Sequence, residues 1–170
     1  GPLLEALAGL FAEGLLDRRR VRVRFYGPST EAAVRQAQDR GFGGVVEGGT
    51  TLSRPEALQR QRESQVLLVL GWNGPDGEGV YTSKIFEYLA AGRPILLAGG
   101  PAGAASALLA QTGAGTHAAT AVEIRDFLLK CYATWKKEGH LPFQALASAL
   151  EPFSQKTMAS RYAQLLDGLA

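Results

Sequence analysis

Residues 81–98 read YTSKIFEYLAAGRPILLA, and this stretch contains a complete helix-to-strand unit. Thr82 or Ser83 is predicted to cap the helix, because a hydroxyl oxygen accepts hydrogen bonds from the free N–H groups of a first helical turn. Gly92 ends the helix, and Pro94 prevents its continuation. The apolar residues that follow Pro94 are typical of a strand that is buried in a sheet. The stretch therefore predicts one unit of an α/β fold.

The polar residues of this helix predict a binding site at its N-terminus. Ile85 and Leu89 share the face that is expected to pack on the sheet, whereas Lys84 and Glu87, three residues apart, lie together on another face. Free N–H groups, hydroxyls and a lysine at a helix start suit a phosphate. A carboxylate one turn further in accepts hydrogen bonds from vicinal hydroxyls. Together these groups match the chemistry of a ribose diphosphate.

Residues 83–94 resemble the donor-binding motif of the retaining glycosyltransferases of family 4, or group 1, which have the GT-B fold. The C-terminal domain of that family commonly reads P-x-K-x-x-E-Y-x-A-x-G-x-P at this point, and the resemblance runs from about Leu4 to Leu166. The family glutamate in the position of Glu87 holds the ribose of a nucleotide sugar. A first family glutamate usually stands eight residues earlier, where this chain has Gly79.

The resemblance implies a C-terminal domain that binds a nucleotide sugar, with UDP or GDP as the nucleotide. The whole enzyme would transfer the sugar to a glycan or another acceptor, and the acceptor would bind an N-terminal domain outside this sequence. We expect no metal and no other cofactor, no catalytic residue in this half, and no activity of the isolated domain. The donor-binding residues that the resemblance implies are Tyr81, Thr82, Ser83, Lys84, Glu87, Gly79, Thr50 and Thr51.

Two other functions are compatible with the same residues. A nucleotide-sugar epimerase of similar architecture differs mainly in residues outside this sequence. A non-catalytic α/β module, such as a receiver or scaffold, is the second alternative, although Gly71-Trp72 stands where a receiver has acidic residues. The loop at residues 71–80 is either a cover for the donor or a surface excursion. Residues 48–51 are either a base-contacting loop or an ordinary turn.

The composition is that of one globular domain. The chain has 170 residues, of which 46% are hydrophobic and 20% charged, with 21 glycines, so one well-buried domain over residues 1–170 is expected. The formal net charge of +2 is too small to indicate a nucleic-acid partner. A local cluster of arginines is either a solvated strand start or a patch for phosphate or an anionic membrane: Arg18, Arg19, Arg20, Arg22 and Arg24.

Cysteine and histidine are too few for a disulfide framework or a common metal site. Cys131 is the single cysteine, and neither His117 nor His140 has acidic or cysteine partners at metal-ligand spacing. No signal peptide and no apolar run of about 20 residues is visible in this sequence. We therefore expect a cytoplasmic protein whose contact with the inner face of the cell membrane, if any, is peripheral.

The order of the predicted elements indicates an open, doubly wound, mostly parallel sheet, the Rossmann-like half of a GT-B fold. The chain starts with an amphipathic helix at Leu3 where an α/β unit normally starts with a strand, and Gly1-Pro2 resembles the remnant of a cleaved tag. We therefore expect a fragment whose own first strand is missing. Predicted strands occupy residues 21–25, 43–47, 66–70, 95–98 and 115–118.

Overall fold

The structure is a computed structural model that describes residues 1–72 and 82–168. Helices and strands alternate from α1 to α6, two further helices follow α6, and a 3₁₀ turn at Glu151–Phe153 precedes the last helix. In chain order the elements are α1 (Pro2–Ala12), β1 (Val23–Tyr26), α2 (Glu31–Asp39), β2 (Val46–Gly49), α3 (Arg54–Glu63), β3 (Leu67–Leu70), α4 (Lys84–Ala91), β4 (Ile95–Ala98), α5 (Ala104–Thr112), β5 (Gly115–Ala118), α6 (Ala121–Glu138), α7 (Ala147–Leu150) and α8 (Gln155–Asp167).

All pairings between these strands are parallel, as predicted. In one sheet β1 pairs with β2, with Val23 opposite Val46. In the other sheet β4 lies between β3 and β5, with Ile95 opposite both Leu67 and Gly115. Within the described residues no ladder joins β1 to β3, so the single open sheet that was expected is present in two parts.

Helices cover both faces of the strands, which confirms the doubly wound α/β architecture. On one face, side chains of α1 and α6 pack with β2 and β4, and Leu10 and Ile124 are completely buried. On the other face, α4 and α5 pack on β3 and β4, and Ile85 and Leu109 are completely buried. Alternate residues of β4 enter the two cores, as the period of a strand requires.

The second strand lies further along the chain than predicted. Residues 43–47 were expected, but Val45 donates its N–H to Phe42 O at 3.2 Å in a turn, and the strand begins at Val46. The two glycines predicted to form a loop continue the strand. A Cβ on Gly48 would lie 2.7 Å from Thr30 Oγ1, and one on Gly49 would lie 2.8 Å from the Tyr26 ring. These glycines therefore permit close approach of neighbouring side chains.

Helix boundaries follow the local signals closely. Helix α4 ends at Gly92, which has the left-handed conformation with φ 67°. Helix α3 has the predicted capping box of Ser53 and Glu56, and α6 has the predicted box of Thr120 and Glu123. No helix in the described ranges is long and apolar enough to cross a membrane.

Candidate functional site

The candidate site lies at the carboxyl edge of the sheets. Because all strands are parallel, the residues that follow them lie along one edge, and ligands of open α/β sheets bind there. Gly71 follows β3 and Gly99 follows β4, and α4 starts at this edge with Lys84. Gly79 and Tyr81, which the resemblance includes in the site, lie outside the described residues.

The start of α4 differs from the prediction in its capping. Ser83 has helical dihedral angles, φ −55° and ψ −25°, and makes no side-chain cap. Ile85 instead donates its N–H to Thr82 O at 3.0 Å, and Phe86 donates to Ser83 O at 3.3 Å. The predicted hydroxyl cap is therefore wrong, because a main-chain turn already uses these N–H groups. Thr82 and Ser83 are both exposed at the carboxyl edge.

Lys84 is the first residue of α4, and its side chain is exposed, whereas the next residue, Ile85, is completely buried. Within the described part of the chain its ammonium makes no ion pair, with Glu87 or with any other carboxylate. The predicted common face of Lys84 and Glu87 is therefore not a bonded pair. A lysine at a helix N-terminus adds its charge to the positive end of the helix dipole, which favours an anion there.

Glu87 is half-buried, as predicted, and its bonded partner comes from α3. Gln61 Nε2 donates to Glu87 Oε2 over 3.4 Å, while Oε1 of Gln61 is buried without a partner in the described part. Glu87 Oε1 makes no hydrogen bond in that part. A half-buried carboxylate is stabilised by hydrogen-bond donors, so Glu87 has one weak donor and capacity for more.

Sequence reasoning missed Gln61. Helix α3 has no buried residue and no apolar stripe, so its pattern gives no indication of which side contacts α4. The contact depends on the tertiary packing of α3 beside α4, where Arg93 also donates to Arg62 O at 2.8 Å. The sequence of α3 contains no local pattern that would identify Gln61 as the residue that contacts Glu87.

Two side chains have raised pKa values, Tyr88 in α4 and Cys131 in α6. Burial raises the pKa of the Tyr88 hydroxyl, and the negative charge of neighbouring Glu87 raises it further. Burial also raises the pKa of the Cys131 thiol, to about 11, so this thiol stays protonated and is a poor nucleophile or metal ligand. Within the described ranges no three His, Cys, Asp or Glu side chains converge on a metal site.

The glycine-rich loop between β4 and α5, residues 99–103, lies beside α4 at the same edge. His117 Nε2 lies 3.3 Å from Gly99 O and 3.2 Å from Gly100 O, a structural role that holds this loop. Both glycines have positive φ, 77° and 71°. A Cβ on Gly71 would lie 2.0 Å from Gly99 O, so the ends of β3 and β4 approach more closely than any other residue permits. A narrow crevice beside this contact is lined by Trp72, Thr82, Pro101 and Ser106, among others.

The remaining predicted residues are Thr50 and Thr51, which lie between β2 and α3. Thr50 and Thr51 follow β2 and are exposed, and no hydrogen bond links them to α4 in the described part. A wider groove of about 660 Å³ lies between α5 and β5 and is lined by small residues with Ser106, Thr116 and His117. It has no lining carboxylate or lysine, so it is a poorer match to a ribose diphosphate than the start of α4.

Comparison with solved structures identifies a protein with a similar fold. The chain matches the crystal structure of Anabaena HepE in complex with UDP with a TM-score of 0.70 and 18% identity, over 98% of this chain and 44% of HepE. The crystal structure of HepE in complex with UDP-glucose matches with a TM-score of 0.69 at the same identity and coverage. No protein-family model and no curated protein matches. The chain thus has the fold of part of HepE and spans less than half of its length.

Proposed function

We propose that this chain is the nucleotide-sugar-binding half of a retaining glycosyltransferase of the family 4 type. The observation that carries the proposal is Glu87, a half-buried carboxylate on the first turns of α4 whose bonded partner in the described part is Gln61 Nε2. A carboxylate oxygen with spare capacity accepts hydrogen bonds from the two hydroxyls of a ribose. The fold that the chain shares with a protein crystallised with UDP and UDP-glucose supports the same ligand class.

The diphosphate is assigned to the start of α4. Lys84 supplies an exposed ammonium, Thr82 and Ser83 supply exposed hydroxyls, and the helix dipole adds a partial positive charge. These groups stabilise the negative charge that develops on a departing nucleoside diphosphate. Because the phosphate contacts come from side chains and a helix terminus, the proposal includes no metal and no other cofactor.

The rest of the reaction is assigned to other parts of the protein. The acceptor, a glycan or another hydroxyl compound, would bind an N-terminal domain, and transfer would occur between the two domains. We place the protein in the cytoplasm, with peripheral contact at the inner face of the membrane through the arginine cluster. Four of those five arginines make ion pairs, which reduces the positive charge of the patch: Arg22 and Arg24 pair with Glu47, and Arg19 and Arg20 pair with Asp17.

Titration calorimetry with UDP, GDP, uridine and inorganic pyrophosphate tests the site. We expect UDP to bind most tightly, uridine and pyrophosphate to bind more weakly because each lacks half of the contacts, and GDP to differ from UDP through the base alone. Equal affinity for pyrophosphate and UDP would show that Glu87 does not bind the ribose. Absence of nucleoside diphosphate binding would overturn the proposal.

The isolated chain is expected to transfer no sugar. Incubation with UDP-glucose should release no UDP at a measurable rate, whereas turnover on the order of 1 per second would contradict the two-domain assignment. In the intact protein, product analysis separates transfer from epimerisation. Transfer releases UDP, whereas an epimerase that isomerises the sugar while it is still attached leaves the nucleotide bound to it.

A further inference from the structure

Gln61 differs from the other polar residues of α3 in where its side chain bonds. Gln59 and Arg60 both bond to Glu63, in the last turn of the same helix, at 2.8 and 3.1 Å. Gln61 Nε2 instead donates to Glu87 Oε2 of α4 over 3.4 Å. The other side-chain hydrogen bonds of α3, in the part of the chain that the structure describes, stay within the helix and its two caps. The amide of Gln61 is therefore the group through which α3 reaches the candidate site.

The end of α3 that carries Gln61 is held in place beside α4. Arg93, just after α4, donates from Nε to the carbonyl oxygen of Arg62 at 2.8 Å. Ser64, the residue after α3, donates from Oγ to Arg60 O at 2.8 Å and closes the last turn. These two bonds lie on either side of Gln61 along the chain, so its amide reaches Glu87 from a fixed backbone.

The acceptor atom of the same amide has no partner. Gln61 Oε1 is buried and accepts no hydrogen bond from the described residues. A buried acceptor without a donor costs free energy, so this end of the side chain does not stabilise the fold. Rotation of the amide by half a turn would place Oε1 against a carboxylate oxygen, and two acceptors cannot bond to each other. The amide therefore keeps its donor directed at Glu87 while Glu87 is ionised.

This bond restrains the carboxylate that faces the ligand. The last torsion of a glutamate side chain has a broad range, so an unrestrained carboxylate changes its orientation readily. Donation to Oε2 limits that rotation, and Glu87 Oε1 makes no hydrogen bond in the described part. An acceptor that is already oriented loses less freedom when a ligand binds. The geometry thus leaves one oxygen of Glu87 restrained and the other available.

We propose that Gln61 is a positioning residue for Glu87, whose amide holds Oε2 so that Oε1 accepts hydrogen bonds from the ribose. The inference rests on the proposed function, because that function assigns the ribose to Glu87. Gln61 acts through the carboxylate and makes no contact of its own with the ligand. Its loss should therefore weaken ligands that contain ribose and leave the binding of pyrophosphate unchanged.

Gln61→Leu and Gln61→Met test the role, because each removes both amide atoms and keeps much of the volume. Calorimetry should show about a fivefold loss of UDP affinity and no change for pyrophosphate. The melting temperature should stay equal or rise, since the unpaired buried acceptor is removed as well. A purely structural Gln61 predicts the opposite pattern, a lower melting temperature with unchanged UDP affinity per folded molecule.

Gln59→Leu is the matched control. It makes the same chemical change two residues earlier on α3 and breaks an exposed bond to Glu63 of similar type. We expect no change in affinity for UDP or for pyrophosphate. A UDP loss in Gln59→Leu as large as that in Gln61→Leu would show that any disturbance of α3 weakens binding, and it would overturn the positioning role.

A double-mutant cycle with Glu87→Gln separates positioning from direct contact. If Gln61 acts through Glu87, adding Gln61→Leu to Glu87→Gln should reduce UDP affinity further by less than about twofold, the usual tolerance of additivity. A full fivefold loss on both backgrounds would mean that Gln61 contacts the ligand itself, and it would overturn the proposal.

The remaining outcomes distinguish this inference from the proposed function. If Glu87→Gln weakens UDP binding and neither Gln61 variant does, the positioning role fails and the proposed function stands. If the original chain binds no UDP, both fail. If both Gln61 variants fail to fold, or if pyrophosphate affinity falls as much as UDP affinity, Gln61 is structural and the positioning role is overturned.

Discussion

The starts of α4 and α6 contain similar residues and use them differently. In α6, Glu123 Oε2 accepts hydrogen bonds from the N–H groups of Ala119 and Thr120 at 2.9 Å, and Glu123 N–H donates to Thr120 Oγ1. In α4, Glu87 makes no such bond to its own helix and contacts Gln61 of α3. Glu123 therefore caps its own helix, whereas Glu87 can still accept hydrogen bonds from a ligand.

The two glutamates are used differently because the residues that precede the two helices, Thr120 and Ser83, have different backbone conformations. Thr120 is extended, with φ −108° and ψ 160°, which directs its side chain and its N–H toward the first turn. Ser83 is helical, with φ −55° and ψ −25°, so a main-chain turn replaces the capping box. Glu87 also stands one residue further from its cap residue than Glu123 does. A hydroxyl and a carboxylate near a helix start thus indicate a ligand site only where the box is not formed.

Glu87→Gln should have the largest effect on binding. The substitution keeps the shape but removes the charge and half of the acceptor capacity, so we expect a loss of about 2 kcal/mol, roughly 30-fold, in UDP affinity. The melting temperature should stay close to that of the original chain, because the present bond to Gln61 is long. Calorimetry and thermal unfolding of the same sample measure both quantities.

Glu123→Gln is the matched control for this change. It makes the same chemical substitution near a helix start but breaks a capping box, so it should lower stability and leave UDP affinity unchanged. If Glu87→Gln folded normally and bound UDP as tightly as the original chain, Glu87 would have no role in the site. The proposed function would then have no carboxylate to hold the ribose.

Lys84→Ala should reduce UDP affinity by about 1.5 kcal/mol, roughly tenfold, and uridine affinity very little. The ammonium is exposed, so the value lies toward the lower end for a charge-assisted contact. Lys137→Ala removes the same charge from an exposed residue in the last turn of α6, far from the start of α4, and should change neither affinity. Equal losses for UDP and uridine would assign Lys84 to a role other than phosphate binding.

The sequence predicted local features well because they depend on neighbouring residues. The bounds of α3 and α6, the capping boxes at Ser53 and Thr120, and the end of α4 at Gly92 all follow from short-range chemistry. The parallel α/β fold followed from the alternation of helices and apolar runs. Each of these features is encoded within a few residues of the place where it occurs.

Features that depend on distant residues were not predicted. Gln61 contacts Glu87 across 26 positions, and only the packing of α3 on α4 brings the two together. The glycines of β2 were predicted to lie in a base-contacting loop or an ordinary turn, because the approach of Thr30 and Tyr26 cannot be recognised in the sequence. The hydroxyl cap of α4 was wrong because Ser83 is helical, a conformation that its residue type does not determine.

Thr120→Ala should lower the free energy of unfolding by about 1 kcal/mol, the usual cost of losing a side-chain cap. Ser83→Ala is the matched substitution at the start of α4 and should cost almost nothing, since that hydroxyl caps no N–H group. Urea unfolding of both variants measures the contrast. A cost at Ser83 as large as that at Thr120 would show that the two helix starts do not differ in solution.

The smallest effect is the pH dependence that Glu123 contributes to stability. Hydrogen bonds from the Thr120 N–H and hydroxyl hold the pKa of this carboxyl below its usual 4.5, with a smaller contribution from the Ala119 N–H. The folded state therefore favours the ionised form, so the contribution is fully present above the unfolded pKa and is lost as the pH falls through the folded pKa. The difference in stability between the original chain and Glu123→Gln should be constant above about pH 5.5 and should shrink steadily in more acidic solution. Glu138→Gln, at the other end of α6, removes a charge whose side chain makes no hydrogen bond in the described part, and it separates this local effect from that of net charge. A Glu123→Gln difference that stayed constant down to about pH 3 would mean that the carboxylate does not close the box in solution, and the contrast with Glu87 would then have no basis.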